Sequence, residues 1–385
     1  MTDKLDKYRG SLVGGAVGDA LGYAVEFCSE RQIFSEYGEN GITEYTLRNG
    51  KALISDDTQM TMFTATALLD GITRGKLRGI MGDFSTYMAL EYQGWYLTQT
   101  VNYPVDIEEN YAKYSWIMNL PEMFSRRAPG NTCLSALAAG GKGTIEKPVN
   151  NSKGCGGIMR VAPIGIYFSE GKMNIASIDM IGAECAAITH GHELGYIPAA
   201  ALVHMVSLLS HNNDITLLEA VTSSVRTMQD IFSKAKYVDD FVELIELAVK
   251  LSQSGGSDLD NIHKLGEGWV AEETLAIAVY CSLRYQNDFD KAICTAVNHN
   301  GDSDSTGAVC GNILGAYLGY NAIPQKFKTN LEFHDILLTL ADDLYNDCQM
   351  SEYSDNDDRV WLDKYVHKTY GKRGSLIDFP CSHMI

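Results

Sequence analysis

Apolar residues recur along most of the chain at the i, i+3, i+4 spacing of a helix buried on one side. The spacing of Ala, Leu, Ile and Val predicts helices over 176–191, 197–210, 214–230, 240–253, 271–285 and 289–298. Another helix is expected over 57–70, opened by Asp56, Asp57 and Thr58 and closed by Gly71. Acidic and hydroxyl side chains suit a helix start, where they meet unpaired amides and the positive end of the helix dipole. Two more helical segments carry glycine on one face. The first, opened by residues 10–13, has Gly14, Gly15, Gly18 and Gly22; the second, 305–320, has Gly307, Gly311, Gly315 and Gly319. Each glycine costs a helix about 1 kcal/mol against alanine. Such stripes make sense only where another backbone packs closely on them.

Period-two alternation is scarce. Residues 41–54 suggest a short hairpin around Arg48-Asn49-Gly50, because Asn-Gly favours a tight turn. No repeat and no low-complexity linker is present. The pattern implies one all-α domain over 1–385, with an insert at 91–130 and a solvated helix end and loop at 342–358.

With 385 residues, 45% of them hydrophobic, the chain can bury a large core. Its 31 basic and 49 acidic residues give a formal charge of −18. That sign repels nucleic acid and anionic membrane, so neither is expected as a partner. Nine cysteines, odd in number, scattered and without a CxxC pair, argue for reduced thiols in a cytoplasmic protein. The polar start Met1 to Lys7 lacks a signal-peptide apolar region. No segment is expected to reach the roughly 20 apolar residues of a membrane span.

Two acidic clusters carry candidate chemistry. They are Ser55-Asp56-Asp57-Thr58 and Asp302-Ser303-Asp304-Ser305-Thr306, each at the start of a small-residue helix. One such cluster alone is most simply a helix cap. Two of them combine carboxylates with hydroxyls, the hard ligands preferred by Mg²⁺ or Mn²⁺. Four carboxylates converging on one place could not all stay ionised without cations, and two divalent ions would neutralise them. The run Gly154-Cys155-Gly156-Gly157-Ile158-Met159-Arg160 could turn amides toward an anion, although a simple turn is the commoner meaning. Arg160 could meet a phosphate or a structural carboxylate. Glu26, His190, His192, His299, Trp95, Trp116 and Trp269 each have an ordinary structural reading beside a functional one.

With these residues in view, the chain resembles the ADP-ribosylglycohydrolase family, which includes ADP-ribosylarginine hydrolases and dinitrogenase reductase-activating glycohydrolases. The resemblance rests on GDALGYAVEF (18–27), SDDTQM (55–60), RRAPGNTCLSAL (126–137), KGCGGIMRVAPIG (153–165), THGH (189–192), GWVAEETLAIAVY (268–280) and NHNGDSDSTGAVCGNILGAYLG (298–319). These motifs cover about 8–325 and leave 326–385 without a motif. The SDDT and GDSDST pair is the specific part.

The resemblance implies a compact orthogonal helical domain with a two-magnesium centre, Mn²⁺ being a possible substitute. It implies Ser55, Asp56, Asp57, Asp302, Asp304 and Ser305 as metal ligands, and Asp56, Asp304 and Glu26 as catalytic groups. Ser152, Lys153, Gly154, Cys155, Gly156 and Gly157 would cradle ADP-ribose, with His190 beside them. Trp269 and Glu272 match a motif that walls the adenosine side. Cys155 and Lys153 stand where serine-directed members have asparagine and an aromatic residue, which leans toward arginine as the acceptor. The implied partner is an ADP-ribosylated protein, and the implied state is a monomer. The rival readings are hydrolysis of O-linked ADP-ribose or a phosphate end, a two-metal phosphohydrolase, and a silent ADP-ribose-binding protein.

Overall fold

The computed structural model describes residues 3–105, 114–354 and 357–371. Residues 106–113 of the expected insert, 355–356 of the acidic segment, and the end of the 326–385 segment with Cys381 lie outside the described residues. Seventeen α-helices lie among those described. The first nine are α1 (Lys4–Gly22), α2 (Glu30–Tyr37), α3 (Asp56–Arg78), α4 (Phe84–Thr100), α5 (Asn131–Ala138), α6 (Ala162–Tyr167), α7 (Ile175–Ala187), α8 (Glu193–His211) and α9 (Leu217–Ile231). The rest are α10 (Val238–Ser252), α11 (Asp258–Ile262), α12 (Ala271–Arg284), α13 (Phe289–Val297), α14 (Ser303–Leu318), α15 (Gln325–Lys328), α16 (His334–Asn346) and α17 (Arg359–Tyr365). Short 3-10 helices and isolated β-bridges accompany them among the described residues.

The axis of the fold is the antiparallel pair α1 and α14. A Cβ at Gly14 would lie 2.5 Å from Gly311 O, and one at Gly18 would lie 1.9 Å from Gly307 O. Only glycine permits that approach, which is the reason both helices carry a stripe despite its cost to helix propensity. Asn312 and Ser11 fasten the seam: Asn312 Nδ2 donates to Ser11 O at 2.8 Å, and Ser11 Oγ donates to Asn312 O at 3.1 Å. The seam runs out at Gly22, where an added Cβ would meet Ser303 O at 2.2 Å. It therefore sets the start of α14 directly against the end of α1.

Several expectations are corrected. The glycine helix opens at Lys4, before residues 10–13. Gly71 does not close α3, which continues to a left-handed cap at Gly79. Gly71 instead makes room for Tyr87, whose ring carbon would be 2.9 Å from a Cβ there. Arg48 to Lys51 does form the tight turn, with φ 52° at Asn49 and 78° at Gly50, but no hairpin strands follow. Ala52 pairs with Leu331 instead.

The acidic segment is not simply solvated. Asp342 pairs with Arg9 at 2.6 Å, and buried Asp343 accepts from Lys364 Nζ at 2.6 Å. The membrane-length expectation also needs correction, because α8 has the length and composition of a span. Here 89% of that stretch is buried, so its apolar surface is used by the core.

Candidate active site

Ser55 caps α3, its Oγ accepting from Asp57 N at 3.2 Å. Asp302 caps α14, accepting from Ser305 N at 3.3 Å. These helix starts explain why the two acidic clusters exist locally. Tertiary packing then brings them together. Ser305 comes close enough to the Asp57 carboxylate, and Asp304 close enough to Glu26, to affect their protonation. All six expected ligands and Glu26 are buried.

Burial raises the pKa of Asp57 well above the usual carboxylate range, and Asp19, Asp56 and Asp302 add repulsion. Asp56 is raised well above it by burial, with Asp19 and Asp302 contributing. Asp304 is raised likewise, by burial and then by Asp302, Asp57 and Glu26. Burial, followed by Asp302, Asp56 and Asp19, pushes Glu26 up to about 9. Mutual repulsion in a buried site requires that these carboxylates lie near one another. Asp57 Oδ2 and Glu26 Oε2 are buried without a hydrogen-bond partner. Hard, unpartnered carboxylate oxygens fit a divalent cation of the Mg²⁺ type.

Among the described residues, no group of three or more His, Cys, Asp or Glu side chains is arranged to hold a metal ion. The carboxylates satisfy nearby amides instead. Asp56 Oδ2 accepts from Gly130 N at 3.3 Å, and Asp304 Oδ1 accepts from Ser305 N at 2.9 Å.

Asp19 is the principal residue that sequence reasoning passed over. It is fully buried, and Oδ1 accepts from Ser55 N at 2.9 Å. Its Oδ2 accepts from Thr58 N at 3.0 Å and from the Thr58 hydroxyl. Asp19 thus clamps the start of α3 to α1. Its signal was a lone carboxylate inside an apolar helix. Arg127 was passed over too: its carbonyl accepts from Asp56 N at 3.0 Å, and its guanidinium pairs with Glu332 at 3.0 Å.

The glycine run lies against the second cluster. Cys155 Sγ donates to Asp302 Oδ2 at 2.8 Å. Cys155 N donates to Trp269 O, and Ala271 N to Lys153 O, so the run pairs with the segment before α12. Lys153 forms an ion pair with buried Glu272. Gly154 N donates to Ser152 Oγ at 3.3 Å, and that hydroxyl also meets Thr132 Oγ1 at 3.1 Å. His190 lies beneath Gly154 and Gly156, held by Thr189 Oγ1 at 2.8 Å. Burial, then the Arg160 charge, lowers its pKa to about 3, so the ring is neutral at pH 7. A groove of about 580 Å³ opens beside Ser152, lined also by Thr132, Asn131, Asn150, Tyr96 and exposed Arg126.

Other candidates have structural roles. Arg160 meets neither a carboxylate nor the open groove. It is fully buried, donates to Cys185 O and Thr189 Oγ1, and lies 4.2 Å from the Tyr92 ring centroid. Trp95 and Trp116 are buried in the core. His192 caps α8, and His299 braces the turn before α14 through Ala296 O and Thr306 Oγ1. Trp269 is 40% exposed and stacks on Phe27.

The family model for ADP-ribosylglycohydrolase matches residues 1–354. The chain belongs to the ADP-ribosylglycohydrolase family. Membership makes it a hydrolase of ADP-ribosyl linkages. It is 24% identical to the ADP-ribosyl-[dinitrogen reductase] glycohydrolase of Rhodospirillum rubrum, over 87% of this chain and 97% of that one. It is 26% identical to human ADP-ribosylhydrolase ARH3, over 52% of this chain and 60% of the human protein. An uncharacterized protein of Archaeoglobus fulgidus is 27% identical over 88% of this chain and 96% of its own. A solved ADP-ribosylglycohydrolase-related protein complex shares the fold, with TM-score 0.56, 21% identity, and coverage of 90% of this chain and 99% of that one.

Proposed function

We propose that the protein hydrolyses the N-glycosidic bond between ADP-ribose and an arginine side chain of a modified protein. One observation carries the reading: two sequence-distant helix starts meet at Asp57 and Ser305, with orphaned carboxylate oxygens between them and a glycine-rich cradle alongside. When bound, two Mg²⁺ ions (Mn²⁺ as substitute) supply charge neutralisation, affinity for the ribose hydroxyls and a lowered water pKa.

Ser55, Asp56 and Asp57 would hold the ions from α3, and Asp302, Asp304 and Ser305 from α14. Asp304 or Asp56 would orient the attacking water and accept its proton. Their negative charge would also stabilise an oxocarbenium-like transition state. Glu26, buried beside the cluster, would serve as a second acid or base toward the departing guanidine nitrogen. Ser152 to Gly157, with neutral His190 behind them, would receive the diphosphate and ribose. Glu272 would remain neutralised by Lys153. The groove beside Ser152, with Arg126 on its wall, offers room and positive charge for the rest of the anion.

The decisive experiment supplies peptides bearing ADP-ribose on arginine, on serine and on a phosphate end, with and without Mg²⁺. Release of ADP-ribose from the arginine peptide, dependent on Mg²⁺, is expected. Release from serine alone would replace the acceptor. Inorganic phosphate as product would make the protein a phosphohydrolase, and Mg²⁺-assisted binding without turnover would make it a silent binder.

A further inference from the structure

Phe27 and Trp269 form an aromatic pair with ring centroids 6.2 Å apart and planes inclined by 22°. Both are exposed, by 74% and 40%. Phe27 directly follows buried Glu26, so the pair stands at the edge of the carboxylate cluster.

Each ring is carried by fixed backbone. Val25 N donates to Gly22 O and Cys28 N to Val25 O, both at 2.8 Å, so the turn bearing Phe27 is anchored to the end of α1. Trp269 O accepts from Cys155 N, and the adjacent Gly268 packs under Thr306 and Asp302. Phe27 is thus tied to the end of α1, and Trp269 to the start of α14, which bears proposed ligands. Their exposed faces are free to stack on a ligand group.

The surroundings select what could cover them. Exposed Glu267 lies two residues from Trp269 and supplies an acidic rim. Lys153, the nearby cation, is engaged by Glu272. A flat, weakly hydrated cation matches both aromatic faces and acidic rim, and a guanidinium has that character. A serine side chain has neither charge nor plane to contribute.

We propose that Phe27 and Trp269 stack on the guanidinium of the ADP-ribosylated arginine and thereby select the linkage that is cut. This rests on reading the carboxylate cluster as the site of ADP-ribosyl hydrolysis. It assigns the pair to the acceptor rather than to the nucleotide.

The test measures kcat/KM for wild type, Phe27→Ala and Phe27→Tyr on two peptides that differ only in carrying ADP-ribose on arginine or on serine. Calorimetry with ADP-ribose and Mg²⁺ runs alongside. Phe27→Ala should lose about tenfold on the arginine peptide, through KM, consistent with one lost cation–π contact. Phe27→Tyr should recover most of the loss. Any serine activity and the affinity for ADP-ribose should change less than about twofold, since neither engages the platform. An equal loss on both peptides, or none on arginine, overturns the platform while leaving the hydrolase reading standing. A wild-type protein that binds ADP-ribose yet releases it from neither peptide overturns the hydrolase reading, and the platform with it.

Discussion

Cys155 Sγ lies 2.8 Å from Asp302 Oδ2 and donates its thiol hydrogen to that carboxylate. The contact joins the glycine run to the start of α14. Cys155→Ala removes a weak donor but no proposed ligand. It should change the Mg²⁺ concentration for half-maximal activity by less than about tenfold, roughly the scale of one hydrogen bond. A complete loss of activity in a folded Cys155→Ala protein would give the thiol a larger part than positioning.

Asp57→Ala and Asp302→Ala remove proposed ligands from the two opposed helix starts. Each should abolish release of ADP-ribose from an arginine-modified protein, as should EDTA. Full turnover under any of these conditions would leave no role for the metal. Circular dichroism would separate lost chemistry from lost fold, because Asp302 also caps α14.

The raised carboxyls couple stability to pH and to cations. Glu26 is pushed up to about 9 by burial and neighbouring carboxylates, and burial and repulsion also raise Asp56, Asp57 and Asp304. A carboxyl whose folded pKa exceeds its unfolded value stabilises the fold below the unfolded pKa. That contribution is lost as pH rises toward the folded value. Cation-free protein should therefore lose Tm as pH rises from about 5 to 8. Cations bind the ionised form and oppose that loss, so added Mg²⁺ should raise Tm more at the upper pH. An equal gain at both values would sink the linkage.

The glycine seam is predicted to be intolerant even of a methyl group. At Gly311 a Cβ would sit 1.9 Å from Gly14 O, whereas at Gly255 it would meet nothing within 4 Å. Gly311→Ala should cost about 1–3 kcal/mol or more, read as a fall in the denaturant midpoint. It should also reduce activity, since the seam fixes Ser303–Ser305 against the end of α1. Gly255→Ala should be nearly neutral, and equal effects would refute the packing argument.

Gly156→Val would disturb the interior as well as the glycine run. Its Cβ would be 2.8 Å from Cys133 Sγ and 3.0 Å from His190 Cε1. Lost ADP-ribose binding should thus accompany lost thermal stability. Calorimetry beside a melting curve checks this, and normal binding would remove the glycine run from the site.

The helical period was legible because each helix buries one side, and the acidic pairs were legible because hydroxyl and carboxylate caps have local spacing rules. Helix ends were less legible. Gly71 has the local character of a stop, but α3 runs through it and Tyr87 packs against it, and the turn at Asn49-Gly50 forms without the strands that usually flank it. Arg160 could be taken for a phosphate contact, yet its partners are a carbonyl, a hydroxyl and an aromatic face in the interior.

Residue order alone specifies the all-helical pattern, the two glycine stripes and the residue types able to hold hard cations. Tertiary structure alone decided that Asp19 clamps α3, that Asp57 meets Ser305, and that Phe27 stands over Trp269. The division has a physical cause. Helix period and capping act within a few residues, whereas convergence of carboxylates depends on how closely two remote backbones can approach along a shared seam.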